Sequence, residues 1–334
     1  MSNRLDRAND FIGKWMPLIM PLCVVTGFLL DYRLAFLKRS ISILFAIACF
    51  TSSLTISFSD FRKSLNLKAL VTLVVAGHVI LPAIACLLFR LVVDPGTDIY
   101  AGLMLIFAGP CATTSYIWSS MYGGNKGLSI FFVVVDTLLS LFLTPLIMRL
   151  TCSTAVSMDS VAMVWSMVKM VVLPSIAGMV VVSVVKKERI SKVSSGIKLG
   201  TRLLLLLIIP VSISGSKSAV VESFNPSYLW SMLVVVVVLV LGYAIGFAGN
   251  RFILRSDLSD SISLAFGLGC RNVGLAIIMA GSYFSPLATL PPVICLFFHD
   301  VVTAGMGRLF LEMKSKENRL MEESNAASRD RQIQ

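Results

Sequence analysis

A chain of 334 residues that is 56% hydrophobic and only 14% charged, with a mean hydropathy of +0.86, is too apolar for a soluble domain, in which ~25% of residues are charged. Its net charge of +11 does not mark a nucleic-acid binder, because Lys and Arg gather in loops and tails and no basic patch is interleaved with stacking aromatics. The seven cysteines (Cys23, Cys49, Cys86, Cys111, Cys152, Cys270, Cys295) are scattered through apolar runs without a CxxC or a Cys/His cluster, so neither a disulfide framework nor structural zinc is supported.

The polar start, 1–14, leads into a first apolar run at 15–30. That run has no small-residue cleavage site and is followed directly by further spans, so it reads as an uncleaved helix. Further spans are expected at 40–58, 69–92 (with a kink signal at Pro82), 100–122, 128–150, 161–185, 203–213, 228–254, 258–284 and 287–311. Most are ~20 residues, the length that crosses ~30 Å of hydrocarbon. The charged segment SDFRKSLNLK closes the second span, and 186–202 reads as the most basic loop. Residues 313–334 are polar, charged and poor in aromatics, and are expected to be a solvated, frayed tail.

The side of the membrane that holds the N-terminus, the even-numbered loops and the C-terminal tail carries most of the Lys and Arg. Both termini are therefore expected in the cytoplasm of a multi-pass cell-membrane protein. The chain divides into a cytoplasmic N-terminus 1–14, a five-helix repeat 15–150, a linker 151–160, a second five-helix repeat 161–312 and a tail 313–334. Because five is odd, the two repeats have opposite orientations in the bilayer, as in many secondary transporters.

Two spans are interrupted at corresponding places. The ninth carries FGLGCRNVGLA, in which Gly267, Gly269 and Gly274 weaken the helix and Arg271 places a charge near mid-membrane. A bare charge at that depth costs ~2.5–3.5 kcal/mol on insertion scales. The fourth carries GPCATTSY. Paired broken helices in two halves of a chain are the best sequence pointer to a transporter's binding site. Freed backbone N–H groups and half-helix N-termini there are expected to bind a carboxylate, with Thr113, Thr114, Ser115, Tyr116, Arg271 and Asn272 as the substrate-binding set.

PCATTSYIWSSMYGGNKGLSIFFVVVDTLLSLFLTP (110–145) resembles the broken fourth helix and the fifth helix of the bile acid:sodium symporter family. FGLGCRNVGLA resembles its broken ninth helix, and SFSDFRK after span two and FFHD in span ten fit the same pattern. The resemblance implies an all-α membrane fold of ten helices, with helices 4 and 9 crossing in a core domain beside a panel domain. It also implies transport of organic anions such as bile acids or small keto acids, usually with sodium. Several of the ligands it implies for sodium are absent here. Gly267 stands where the family has an acid, Arg271 where it has a glutamine, Tyr116 where it has an asparagine and Val133 where it has a threonine. Another family glutamine falls near Gly77 or His78, and only Ser115 and Ser129 survive.

One carboxylate with two sodium ions sums to +1, and one arginine also sums to +1. Arg271 is thus expected to act as a built-in cation, with Ser115, Ser129, Asp136, Gly267 and Arg271 marking the degenerate ion-coupling positions. Ser129, Val133, Asp136 and Ser140 share one helical face, which the resemblance turns toward the ion sites. Asp136 then points at Arg271 or into the cavity, either as a proton carrier or as a fixed salt-bridge partner. Sodium or a proton is the candidate coupling ion, and no other cofactor, metal or nucleic acid is expected. The expected partners are a small organic anion and the lipid bilayer. Lys169 reads as a snorkelling side chain, His78 and His299 as core histidines, and Trp118 as packing or pocket wall.

A second reading comes from the related arsenite permease family. That family pairs Pro and Cys in the broken fourth helix with a later tryptophan and an acid in helix five, as Pro110, Cys111, Trp118 and Asp136 do here. A thiolate suits trivalent arsenic, but Gly274 stands where that family has a glutamate. A sensor that signals through its tail finds no signalling module in 313–334. An enzyme finds no GxSxG, HExxH or paired catalytic carboxylates in the spans.

Overall fold

The computed structural model describes residues 2–54, 67–152, 159–185, 187–214 and 227–333. Among these residues the structure is helical, with no β-strand and a single isolated bridge. We number its main helices as follows. α1 is Ser2–Leu29, and α2 is Ile41–Ser53 after a 3-10 turn, Ala35–Ser40. α3 is Leu67–Arg90, α4 Asp98–Ala108, α5 Ser115–Met121 and α6 Lys126–Thr151. α7 joins Ser160–Met167, a π-helical turn Val168–Val172 and Leu173–Val184. α8 is Lys187–Ile213, and α9 joins Ser227–Ala248 to a π turn, Gly249–Ile253. α10 is Leu258–Gly269, α11 Val273–Tyr283 and α12 Leu290–Ile333.

Among the described residues seven stretches are long and apolar enough to cross a membrane, namely Phe36–Ser53, Leu67–Arg90, Lys126–Thr151, Val161–Val184, Val193–Ser212, Trp230–Ile253 and Leu287–Glu317. The protein is therefore a multi-pass membrane protein. α4 and α11 are apolar but have only 11 residues each, or ~16 Å of helix, about half a bilayer. The spans expected at 100–122 and 258–284 are each broken into two helices, α4 with α5 and α10 with α11.

Three expectations need correction. The segment 186–202 is not a loop, since α8 is helical from Lys187 and its apolar stretch begins at Val193. Lys and Arg are good helix formers, so a basic composition marked the water-facing end of a helix. The tail is not frayed, because α12 continues to Ile333. Lys314 ties its middle to the Gly123 carbonyl (2.6 Å) and Ser259 Oγ (3.1 Å), and Glu317 pairs with Arg251 at 2.7 Å. α1 covers the first span and extends it back to Ser2, where Asn9 Nδ2 donates to the Ser195 carbonyl of α8 at 2.7 Å. The SFSDFRK motif and most of the 151–160 linker lie outside the described residues.

The helices sort by contact into two groups. α1 lies on α8, and α2 lies on α7 and α8. In the other group α4 is enclosed by α3, α6, α11 and α12, while α10 packs on α5, α6 and α9. Every residue of α4 from Ile99 to Ala108 is buried, as is most of α10 and α11. The approach of α9 to α10 depends on Gly242 and Gly246, a GxxxG pair. A Cβ on Gly246 would sit 2.6 Å from the Leu264 carbonyl oxygen, and one on Gly242 would sit 3.1 Å from that of Leu268. Small residues of this kind let membrane helices pack backbone to backbone.

Gly102 is tighter still, because a Cβ there would lie 2.1 Å from the Ala288 carbonyl oxygen, which is backbone and cannot rotate away. Gly102→Ala is therefore expected to lower the thermal unfolding midpoint by the equivalent of ~1–3 kcal/mol. Gly305→Ala, whose added methyl would meet nothing within 4 Å, is the control that should leave the midpoint nearly unchanged.

Candidate functional site

The two breaks meet at the centre of the second group. Residues 109–114 separate α4 from α5, and 270–272 separate α10 from α11. They run antiparallel and are bridged at Cys111 and Arg271. The Ala112 N–H donates to the Cys270 carbonyl at 2.8 Å and the Asn272 N–H to the Pro110 carbonyl at 3.0 Å. Non-helical backbone at this depth is tolerated only where protein satisfies it, and here each break satisfies the other.

Arg271 is 1% exposed. Its Nη2 donates to the Phe107 carbonyl at 2.8 Å and to the Gly109 carbonyl. Thr144 Oγ1 of α6 donates to the intervening Ala108 carbonyl at 2.8 Å. A helix C-terminus leaves its last carbonyls unpaired and partially negative, so the guanidinium caps α4 and its charge is held by those dipoles. Arg271 Nε is buried without a hydrogen-bond partner among the described residues.

Asp136 is also 1% exposed. Among the described residues its ion-pair partner is His78 and not Arg271. Its Oδ1 lies 2.6 Å from His78 Nε2, and its Oδ2 accepts the Cys111 N–H at 2.6 Å. The carboxylate therefore links α3 to the first break. Pro82 explains why His78 reaches it. Lacking an N–H, Pro82 gives the His78 carbonyl no helical donor, and α3 widens into a π turn at Ala76–Ile80, a distortion frequent at functional sites. His78 is buried and its Nδ1 has no partner among the described residues. His78 is thus buried in the core as expected, and only its carboxylate partner went unread, for which a proline four positions downstream in an apolar run was the available signal.

The remaining candidates separate. Ser129 Oγ lies 2.8 Å from Ser119 Oγ and 2.9 Å from the Asn125 carbonyl oxygen, while Ser263 Oγ reaches the same carbonyl at 3.0 Å. Ser129 is thus one of three buried hydroxyls that tie α5, α6 and α10 together. Gly267 packs against Leu73 and Phe132 and offers no side-chain oxygen. Ser115 is buried at the start of α5, while Thr113 is half-buried and Thr114 exposed beside it. Asn272 caps α11, its Oδ1 accepting the Leu275 N–H at 3.0 Å.

The freed N–H groups of Cys111, Ala112, Ser115, Asn272, Val273 and Leu275 all find acceptors within the protein. The expectation that this backbone stands open to a carboxylate therefore narrows to the N–H groups outside that set, those of Thr113, Thr114, Arg271 and Gly274 among them. Tyr116 packs against Ile130 and Met179. Trp118 stacks on Tyr122 and Tyr122 on Phe266, with centroids 6.2 and 6.0 Å apart, so Trp118 is packing. The Cys111 thiol is fully buried. Among the described residues no group of three His, Cys, Asp or Glu side chains is arranged to hold a metal ion.

Near Cys270 the second histidine, His299, places Nδ1 3.0 Å from Asp300. Lys169 is exposed on the π turn of α7, beside Pro174 and a largely apolar groove of about 510 Å3 shared with Ile43, Ile47 and Phe50 of α2.

Comparison with known proteins agrees with this architecture. The chain is 29% identical to the Bacillus subtilis protein YbaS over 303 residues, 90% of this chain and 98% of that protein. It is 25% identical over 299 residues to the Bacillus subtilis "sodium-dependent transporter YocS", covering 89% and 91%. It is 24% identical over 311 residues to the Arabidopsis thaliana chloroplastic "probable sodium/metabolite cotransporter BASS1", covering 90% and 75%. The family model described as "Sodium Bile acid symporter family" matches residues 42–223, more than half of the chain. With two broken helices crossing at a buried polar centre, the chain belongs to the sodium bile acid symporter family.

Proposed function

We propose that the protein is a secondary transporter that moves a small organic anion, bile-acid-like or a keto or carboxylic acid, across the cell membrane by alternating access. The observation that carries this reading is Arg271, a buried cation at the crossing of two broken helices. Intramembrane charges of this kind mark substrate and ion pathways. In this reading the anion meets Thr113, Thr114, Ser115, Tyr116 and Asn272 on the open side of the crossing, within the field of Arg271.

The fold proposed with it has ten crossings in two inverted repeats, both termini cytoplasmic, with α1, α2, α7 and α8 as the panel and the remaining helices as the core. Spacing along the chain supports the repeat. α4 and α10 start 160 positions apart (258 − 98), and the bridged residues have the same separation (271 − 111). The two bridge hydrogen bonds, 112 to 270 and 272 to 110, exchange under the same shift.

Transport in this reading is independent of sodium, although relatives carry sodium in their names. Gly267 supplies no carboxylate, Arg271 occupies a ligand position with a positive charge, and Ser129 Oγ is engaged by protein oxygens. Ligand-induced thermal stabilisation of the purified protein tests this, since binding to the folded state adds ~2.7 kcal/mol at a concentration of 100 Kd. Pyruvate or taurocholate is expected to stabilise equally in sodium and in choline. Strict sodium dependence would overturn the built-in cation, and stabilisation by arsenite alone would favour a metalloid permease using Cys111.

A further inference from the structure

Arg271 does not act alone. Asp136 reaches the same loop from the other side, since its Oδ2 holds the Cys111 N–H while Arg271 holds the carbonyls of Phe107 and Gly109. Two opposite fixed charges on one six-residue break sum to zero, which gives an anion no net attraction. The third ionisable group is His78, whose Nε2 is 2.6 Å from Asp136 and whose Nδ1 is buried with no partner among the described residues. With His78 neutral the centre carries no net charge, and with His78 protonated it carries +1.

The other groups facing this centre do not change that sum. From the two breaks come the thiols of Cys111 and Cys270, and beyond Cys270 lie Tyr243 of α9 with His299 and Asp300 of α12. α10 presents Gly267 and Leu268 toward α3 and α6, with no charge. His299 has its own carboxylate, Asp300, at 3.0 Å, so that second pair is internally balanced when protonated.

We propose that the His78–Asp136 pair is a proton-binding site whose exchangeable proton takes the part of a coupling cation, so that one proton crosses with each monoanion. This rests on the transporter reading above. The proton enters on the imidazole, the anion binds to a centre that is now +1, and both leave on the far side, returning the centre to zero. The cycle moves no net charge, and nothing is oxidised or reduced. His78 is well placed for the task because the Asp136 carboxylate touches the break directly, joining proton occupancy to the crossing itself. The free Nδ1 is the edge on which a proton is gained or lost without breaking the bond to Asp136.

The test uses the full-length protein in liposomes with radiolabelled taurocholate, which does not cross lipid on its own, in choline buffers with the membrane potential clamped. Wild type is expected to accumulate taurocholate several-fold when the side of entry is acid, and His78→Gln, whose centre stays at zero charge, to lose that accumulation. Glutamine keeps a donor toward Asp136 at fixed zero charge, and a thermal unfolding midpoint close to that of wild type shows that the variant is folded.

The chain has only two histidines, so the 15N imidazole signals of labelled protein provide a second measurement, assigned by the one lost in His78→Gln. Adding taurocholate is expected to shift the His78 signal to its protonated position. Accumulation by wild type that ignores the pH gradient, accumulation retained in His78→Gln, or bound anion with an unmoved His78 signal would each overturn the proposal. If neither taurocholate nor pyruvate is carried under any gradient, the transporter reading itself has failed and the proton site falls with it.

Discussion

Arg271→Ala is expected to lower the stability of the folded protein by ~3–5 kcal/mol, the range seen when one partner of a buried charged arrangement is removed, and to abolish stabilisation by any anion. The loss has two parts. The Phe107 and Gly109 carbonyls would lose their shared donor inside a fully packed core, and a buried acceptor left unmade costs ~1–3 kcal/mol. The guanidinium volume would also be left as a cavity in a region where neighbouring side chains are fully buried. Arg271→Lys separates charge from geometry. An ammonium keeps the +1 but lacks the planar fork that bridges two carbonyls, so it should recover part of the stability and part of the anion response. Thermal unfolding in detergent, with and without taurocholate, measures both.

Asp136→Ala should be of similar size, ~3–5 kcal/mol, for a different reason. It strips the acceptor from the Cys111 N–H and from His78 Nε2 together, and leaves the positive charge of Arg271 without its nearest negative group. Asp136→Asn is the informative companion. Its amide oxygen still accepts the Cys111 N–H and its size is unchanged, so stability should fall less, while the charge at the centre rises by one. Because the two charges act on one loop, Asp136→Asn with Arg271→Met should cost less than the sum of the single changes, by ~0.5–3 kcal/mol. Additivity in that cycle would show that the two side chains stabilise the crossing independently.

The broken helices were legible in the sequence because glycine clusters and an intramembrane arginine are exceptions to an otherwise plain apolar pattern. Arg271 stood out for the same reason. The partner of Asp136 did not. A helical wheel puts Ser129, Asp136 and Ser140 on one face of α6, but it says nothing about which residue of another helix faces them. The π turn of α3 changes the local period, so no α-helical spacing would have aimed His78 there. The GxxxG pair in α9 was present in the letters but needed the position of α10 to acquire meaning. The misread basic segment at the start of α8 has another cause. Charge tells where water is, and helices extend into water.

The joint between the breaks is made by two amide-to-carbonyl hydrogen bonds, Ala112 to Cys270 and Asn272 to Pro110. Neither bond depends on which side chains those residues carry, and each contributes only ~0.5–1.5 kcal/mol. A scaffold joined in this way separates the inheritance of shape from the inheritance of chemistry. An acid can become a glycine and a glutamine an arginine at the crossing without the strands parting. Within such a lineage the coupling chemistry can be rewritten one residue at a time while the crossing is passed on intact.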